Sequence, residues 1–242
     1  MSGHSKWNNI KRTKEKADNV RGKIFTKIGR EITVCVKTGG ADPNTNSKLN
    51  DLIAKAKQNN MPNDTISRCI KKASGEGTGG NYEEIFYEGY GPCGSAVIVK
   101  CLTDNKNRTS SDVRHLFDKF GGSLGTTGCV SYLFQNKGVI VIEKGESVDE
   151  DTLFAQAIEL DASDIIDDGD VFEVITTPEN YQKVNDGLIN FGYTFVSSEC
   201  ELVPDNYLEL PEEKVTKFEQ MISNIEALDD VLELYHNVSL DE

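Results

Sequence analysis

The chain has 242 residues, of which 37% are hydrophobic and 27% charged; this composition is ordinary for a folded globular protein and excludes wholesale disorder. Its longest apolar runs are the four-residue stretches Ala96–Val99 and Val139–Ile142, which are too short for a membrane-spanning helix. The formal net charge of −14, taken alone, argues against a nucleic-acid partner.

The charge is unevenly distributed along the chain. Residues 1–75 carry 16 Lys and Arg against 6 Asp and Glu, whereas residues 137–205 carry 3 Lys against 17 Asp and Glu. A basic beginning followed by an acidic body indicates a site for a polyanion near the start of the chain.

The first 78 residues are predicted to form a tail and a helical domain. Residues 1–21 have no apolar periodicity, and Gly22 is predicted to break the chain after them. They are therefore interpreted as a basic flexible tail. Three amphipathic helices follow over 22–78. Their apolar positions, at helical spacing, are Ile24, Phe25, Ile28, Ile32, Cys35 and Val36, then Leu49, Leu52, Ile53 and Ala56, then Ile66, Ile70 and Ala73.

The segment GEGTGG at 75–80 matches the letters of the dinucleotide-binding pattern GxGxxG. A dinucleotide loop must follow a strand and open a helix, so that the pyrophosphate meets the helix N-terminus. This segment follows a helix and precedes a strand. We therefore interpret it as a linker and expect no dinucleotide cofactor.

Residues 79–136 are predicted to begin an α+β domain. Two strands are joined by the turn at 89–92, a helix follows from about Ser110 with Thr109 as its N-cap, and a strand covers Val130–Phe134. This unit lacks a partner helix and an edge strand. The last segment, 206–242, is predicted to return and complete it.

Residues 137–205 are predicted to fold as a ferredoxin-like domain inserted into the previous one. Their elements follow the order βαββαβ, with a turn at Asp168-Gly169. Thr177 is the expected cap of the second helix, whose apolar face would include Phe191. The predicted fold class is α+β: an N-terminal helical bundle plus two α/β-sandwich domains, one ferredoxin-like and inserted into the other.

The sequence predicts a protein that is not an enzyme. It has only three histidines, and no metalloprotease, nucleophile-elbow or P-loop motif is present. Its six cysteines include no CxxC pair, so we expect no metal and no other cofactor. Reduced cysteines and a polar, basic first dozen residues predict a cytoplasmic protein without membrane contact, and we expect a monomer.

The first candidate binding site is the basic tail with the start of the next helix. Only Glu15 and Asp18 offset nine cations through residue 30. Trp7 stands within this polar run and is interpreted either as an anchor docked on the helices or as a stacking platform for a base. The predicted nucleic-acid-binding residues here are Lys6, Trp7, Lys11, Arg12, Lys14, Lys16, Arg21 and Lys23.

The second candidate site is the segment DNKNRTSSDVRH at 104–115. Lys106 and Arg108, in a loop before the predicted helix, would bind a phosphate together with the backbone N–H groups of the helix start. Arg114 and His115 lie on the helix itself. The alternative is a capped helix with a salt bridge such as Asp112 to Arg108.

Six segments of the chain carry a family resemblance. They are SGHSKWNNIK, RGKIFTKIGREI, NMPNDTISRCIKK, YEGYGPCG, TDNKNRTSSDVRH and GGSLGTTGCVSYLF. Together they resemble the YebC/PmpR family, which includes the mitochondrial translational activator proteins (TACO). The departures are small: Ser2 replaces the usual alanine, and Cys93 and Cys129 stand where small residues are usual.

The resemblance implies a three-domain α+β protein without enzymatic activity. It also implies one of two functions: a DNA-binding transcriptional regulator, or a factor that acts on the ribosome and helps it through difficult stretches such as proline runs. The residues favour the second, because a basic tail with one aromatic suits structured RNA and no base-reading helix-turn-helix is evident. The predicted partners are therefore the ribosome and its rRNA, with ribosomal proteins facing the acidic domain; promoter DNA is the alternative.

Overall fold

The computed structural model of the protein describes residues 17–75, 82–145 and 148–240. The chain begins there with three helices: α1 (Ala17–Gly39), α2 (Ser47–Gln58) and α3 (Asn63–Ser74). The predicted break at Gly22 is wrong, because α1 runs through this residue. A glycine inside a helix costs only about 1 kcal/mol relative to alanine, and the packed face of the same helix offsets this loss.

The three helices share one apolar core. Its buried members include Ile28 and Ile32 of α1, Leu49 of α2 and Ile66 of α3. Buried Asn46 caps α2: its side-chain oxygen accepts from the Leu49 N–H, and its amide donates to the Cys35 and Gly40 carbonyls. This one side chain therefore fixes the end of α1 against the start of α2.

A first four-stranded sheet follows the helices. Its strands are β1 (Glu83–Tyr90), β2 (Ala96–Thr103), β3 (Ser123–Leu124) and β9 (Val231–His236). They lie in the order β3-β1-β2-β9, so a strand from the end of the chain borders β2. Two helices accompany this sheet: α4 (Lys106–Lys119) and α7 (Glu212–Glu226).

The second sheet has the ferredoxin-like order. Its elements are β4 (Phe134–Glu143), α5 (Glu150–Glu159), β5 (Asp164–Asp168), β6 (Val171–Thr176), α6 (Tyr181–Asn190) and β7 (Ser197–Pro204). The strands lie in the order β5-β6-β4-β7, and each neighbouring pair is antiparallel. A short parallel pair, β8 (Leu208–Glu209) and β10 (Val238–Ser239), completes the elements. The α+β fold class is confirmed.

Two local predictions of strand and helix limits are wrong. Val130–Phe134 is not a strand, because Ser131–Leu133 form a 3₁₀ turn and β4 starts at Phe134. The second ferredoxin-like helix starts at Tyr181 rather than beside Thr177, since a turn precedes it, and Phe191 is 48% exposed rather than part of the packed face. In both cases a turn forms at residues that the sequence pattern assigned to a strand or a helix.

The described residues cluster into two compact units. One contains residues 17–129 and 216–234, and the other contains residues 130–215 and 235–240. The first unit thus holds the helices α1–α3 together with most of the first sheet, whereas the second holds the ferredoxin-like elements. The finer division at residues 21, 78, 136 and 205 stays a prediction. None of the helices in the described ranges is long and apolar enough to span a membrane.

Candidate nucleic-acid interface

Most of the first predicted site lies outside the described residues. This applies to Lys6, Trp7, Lys11, Arg12, Lys14 and Lys16. The backbone of Arg21 belongs to α1, but its side chain is also outside the described part. The two interpretations of Trp7 therefore both stay open.

The cations farther along α1 bind backbone carbonyls at the end of α7. Lys23 donates to the Ala227 carbonyl at 2.8 Å, and Lys27 donates to the Glu226 carbonyl at 3.0 Å. Burial lowers the pKa of Lys27, partly offset by Glu226. The last carbonyls of a helix attract cations, so these lysines stabilise the end of α7. Of the predicted site residues, Lys23 is thus already engaged within the fold.

The start of α4 differs from the prediction. The N-cap is Asn105, whose side-chain oxygen accepts from the Arg108 N–H at 3.1 Å. Thr109 is not the cap: it lies buried in the first turn, and its hydroxyl bonds to Thr103 at 2.8 Å. Lys106 and Arg108 consequently belong to the first turn of the helix rather than to a loop before it.

A buried carboxylate, Asp230, organises this helix start. It accepts hydrogen bonds from the Thr103 and Thr109 hydroxyls at 3.0 and 2.8 Å, and from the Arg108 guanidinium at 2.7 Å. Arg30 of α1 binds the other carboxylate oxygen at 3.0 Å. Burial raises the pKa of Asp230, but the hydrogen bonds from Arg108, Thr109 and Thr103 outweigh it and hold the pKa below its ordinary value.

The Arg108 guanidinium keeps N–H donors that its ion pairs do not use. Its ion pairs with Asp104, at 2.9 Å, and with Asp230 both use Nη2. The predicted salt bridge between Asp112 and Arg108 is therefore wrong. The Arg108 side chain is 48% exposed, and its Nε and Nη1 donate to no other residue in the described part of the chain. Two carboxylates thus orient a half-exposed guanidinium with two nitrogens that have no partner in the described residues, an arrangement suited to a phosphate.

The other residues of the second predicted site are also on α4. Lys106 pairs with Glu83 and stays exposed. Arg114 and His115 are both exposed. Arg108 and His115 are seven positions apart, so they lie on one side of the helix about two turns apart. The structure therefore places all four residues on α4, with Arg108 held rigidly.

Two glycine-rich motifs pack against each other beside α4. A Cβ at Gly89 would lie 2.6 Å from the Ser123 carbonyl oxygen and 2.8 Å from the Phe117 ring. A Cβ at Gly122 would collide with the Tyr90 carbonyl oxygen. The segments YEGYGPCG and GGSLGTTGCVSYLF thus need glycine because β1 and β3 approach closely at this point.

The prediction of site residues missed two features. Asp230 gave no sequence signal, because its partners lie more than 100 positions away. Arg68, Lys71 and Lys72 are exposed on α3, and the only signal was their place in the segment NMPNDTISRCIKK. Within the described ranges, no group of three or more His, Cys, Asp or Glu is arranged to hold a metal ion.

Comparisons with known proteins cover nearly the whole chain. The TACO1/YebC protein N-terminal domain matches residues 5–76, and the TACO1/YebC second and third domain matches residues 82–238. A solved structure of a conserved hypothetical protein from Aquifex aeolicus superimposes with a TM-score of 0.83, at 41% identity over 93% of each chain.

Curated relatives match the chain over almost its whole length. A probable transcriptional regulatory protein from Acetivibrio thermocellus is 58% identical over 98% of both chains. A protein of the same name from Ruminiclostridium cellulolyticum is 56% identical over all of this chain and 98% of the relative. With both domain models matched and full-length relatives above half identity, the chain belongs to the TACO1/YebC family.

Proposed function

We propose that this protein is a non-enzymatic, cytoplasmic RNA-binding factor that acts on the ribosome. In this proposal it binds rRNA and helps the ribosome translate stall-prone, proline-rich sequences. The observation that carries it is the segregation of charge, with 16 cations against 6 acids in residues 1–75 and 3 against 17 in residues 137–205.

A polyanion would be attracted to the first segment and repelled by the second. RNA folded on a ribosome fits this pattern, because its phosphates alternate with basic proteins that tolerate an acidic neighbour. A free DNA duplex instead carries phosphates on every side, so it would also face the acidic segment that repels it. The start of α4 supports the proposal with a second basic element, in which Arg108 presents unused donors beside a capped helix N-terminus.

A DNA-binding transcriptional regulator is the second candidate. It is favoured by the name shared by the curated relatives, probable transcriptional regulatory protein. Promoter DNA would then take the place of rRNA as the partner of the same cations. The two candidates differ in the macromolecule that the protein follows in a cell extract.

Sedimentation through a sucrose gradient separates the candidates. We expect the protein to travel with ribosomes at low salt and to stay with them when excess duplex DNA is added. Protein that stays at the top of the gradient, yet shifts a DNA duplex in the same buffer, would overturn the ribosomal proposal in favour of the transcriptional one.

Removing residues 1–16 tests the role of the basic tail and leaves α1, which begins at Ala17, intact. We expect the truncated protein to melt like the parent but to lose most ribosome binding. Trp7→Ala should weaken RNA binding by about 1–3 kcal/mol with an almost unchanged salt dependence if the indole stacks on a base. A Trp7 variant with lower thermal stability and full affinity would instead favour the docked anchor.

A further inference from the structure

We infer that the outer face of α3, formed by Arg68, Lys71 and Lys72, is a third RNA-backbone contact surface, which we call the α3 basic face. The inference rests on the proposed RNA-binding function. It assigns a binding role to residues on the helical region that are separate from the basic tail and from the start of α4.

The helix geometry puts the three cations together. With about 100° of rotation per residue, Arg68, Lys71 and Lys72 fall within an arc of about 100°. Ile66 and Ala73, which are buried in the helical core, occupy the opposite side of the helix. The three side chains therefore point away from the core and are exposed together.

The charge on this face is largely uncompensated. Asp64 is the single acidic residue of α3, and it lies in the first turn. Arg68 bonds to the Asp64 backbone carbonyl and to the Thr65 hydroxyl, not to the Asp64 carboxylate. In the part of the chain that the structure describes, Lys71 and Lys72 make no hydrogen bond or ion pair with another side chain.

Many other cations of the same compact unit are committed to internal contacts. Lys23, Lys27 and Arg30 bind backbone carbonyls at the end of α7 and just after it. Lys55 and Lys100 both pair with Glu233. A cation that is already paired within the protein neutralises an RNA phosphate only by giving up its partner. An exposed unpaired cation neutralises a phosphate directly and so releases the counterions condensed on the RNA, which favours binding. Among the helices α1–α3, the α3 basic face is therefore the set best prepared to bind phosphate.

The partner that fits is the phosphate backbone of folded RNA. Arg68 and Lys72 are four residues apart, which is roughly 6 Å along the helix at about 1.5 Å per residue. Lysine and arginine on a helix surface contact phosphates without reading bases. The surface should accordingly bind structured RNA with little sequence preference.

The test compares two triple variants of the full chain. The first is Arg68→Gln, Lys71→Gln and Lys72→Gln; the control is Lys183→Gln, Lys214→Gln and Lys217→Gln, which removes the same charge from other helices. Glutamine is a good helix former, so α3 should persist, and thermal melting checks this. Binding of a fluorescent RNA stem–loop is measured across a salt series.

We expect the α3 variant to bind the stem–loop about 10- to 100-fold more weakly near 0.1 M salt, with a salt slope reduced by roughly 0.7–0.9 per lost contact. The control should bind within about twofold of the parent. If the α3 variant melts early, the double variant Lys71→Gln and Lys72→Gln, which keeps Arg68, takes its place. It should show about two-thirds of the slope change expected for the triple variant.

The possible outcomes distinguish a failure of the proposed function from a failure of the α3 basic face. A parent protein that does not bind the RNA overturns the proposed function itself. A parent that binds, together with an α3 variant of equal affinity and slope, overturns only the α3 basic face. Loss of binding to a DNA duplex of the same sequence, with RNA binding intact, also overturns it and assigns the surface to DNA.

Discussion

Arg108 and Asp230 are 122 positions apart in the sequence, and the guanidinium Nη2 of one lies 2.7 Å from the carboxylate of the other. Arg30 of the first helix binds the second oxygen of the same carboxylate at 3.0 Å. One buried side chain therefore links α1, the start of α4 and the segment before β9. The orientation of Arg108 and the packing of the helical region depend on the same group.

Replacing this carboxylate should destabilise the protein. We expect Asp230→Asn to lower the free energy of unfolding by about 2–3 kcal/mol, because Arg30 and Arg108 lose their charged partner while the threonine hydroxyls keep an acceptor. Urea denaturation measures the change. Asp229→Asn is the matched control: that side chain is exposed, and Arg30 binds its backbone carbonyl rather than its carboxylate. Equal stability of the two variants would contradict the assignment.

The same carboxylate should contribute to acid sensitivity. Its pKa in the folded protein lies below the ordinary value of about 3.9. A group with a depressed folded pKa stabilises the protein above its unfolded pKa, and this contribution is lost as the pH falls through the folded pKa.

The stability difference between the parent and Asp230→Asn should therefore be constant from about pH 7 to about pH 5 and shrink below about pH 4. Urea midpoints taken at several pH values measure it. A difference that grows towards low pH would show that the carboxylate is not held in its charged form.

The close approach of β1 and β3 predicts an asymmetry between two glycines. Gly89→Ala places a methyl group 2.6 Å from a backbone oxygen, so we expect a loss of about 1–3 kcal/mol in the free energy of unfolding. Gly22→Ala meets no atom within 4 Å on a helix and should stabilise the protein by about 0.5–1 kcal/mol. Thermal melting of the two variants measures both effects. Equal shifts in their melting temperatures would exclude the steric explanation.

Periodicity predicted most of the fold. The apolar spacing gave the three helices of the helical region, and the predicted order βαββαβ is the order of the elements from β4 to β7. The cap of α4 was misassigned because a threonine preceding a helix-like pattern resembles an N-cap. Thr109 is instead a buried hydroxyl that serves Asp230, an interaction that local sequence does not encode.

The candidate site was less predictable than the fold. Charge counting identified the cations but not which of them have partners within the fold, because Lys23 and Arg108 count alike as basic residues. In the structure, the Lys23 ammonium donates to the Ala227 carbonyl, 204 positions away. Both ion pairs of Arg108 use Nη2, so its Nε and Nη1 have no partner within the described residues. That distinction depends on long-range contacts, which composition and spacing do not contain.

The last prediction concerns the two arginines of α4. Arg108 is oriented by Asp104 and Asp230, and Arg114 is exposed further along the same helix. If they place the protein on RNA, Arg108→Ala with Arg114→Ala should impair translation of proline-rich messages more than it reduces co-sedimentation with ribosomes, because the basic tail still supplies affinity.

Single variants separate placement from stability in this experiment. Arg114→Ala should leave the melting temperature unchanged and lower translation, since its side chain makes no ion pair within the described residues. Arg108→Lys keeps the charge but loses the planar fork that two carboxylates orient, so it should lower translation nearly as much as Arg108→Ala. If the double variant translates stall-prone messages as well as the parent does, the start of α4 is a structural cap and not an RNA contact.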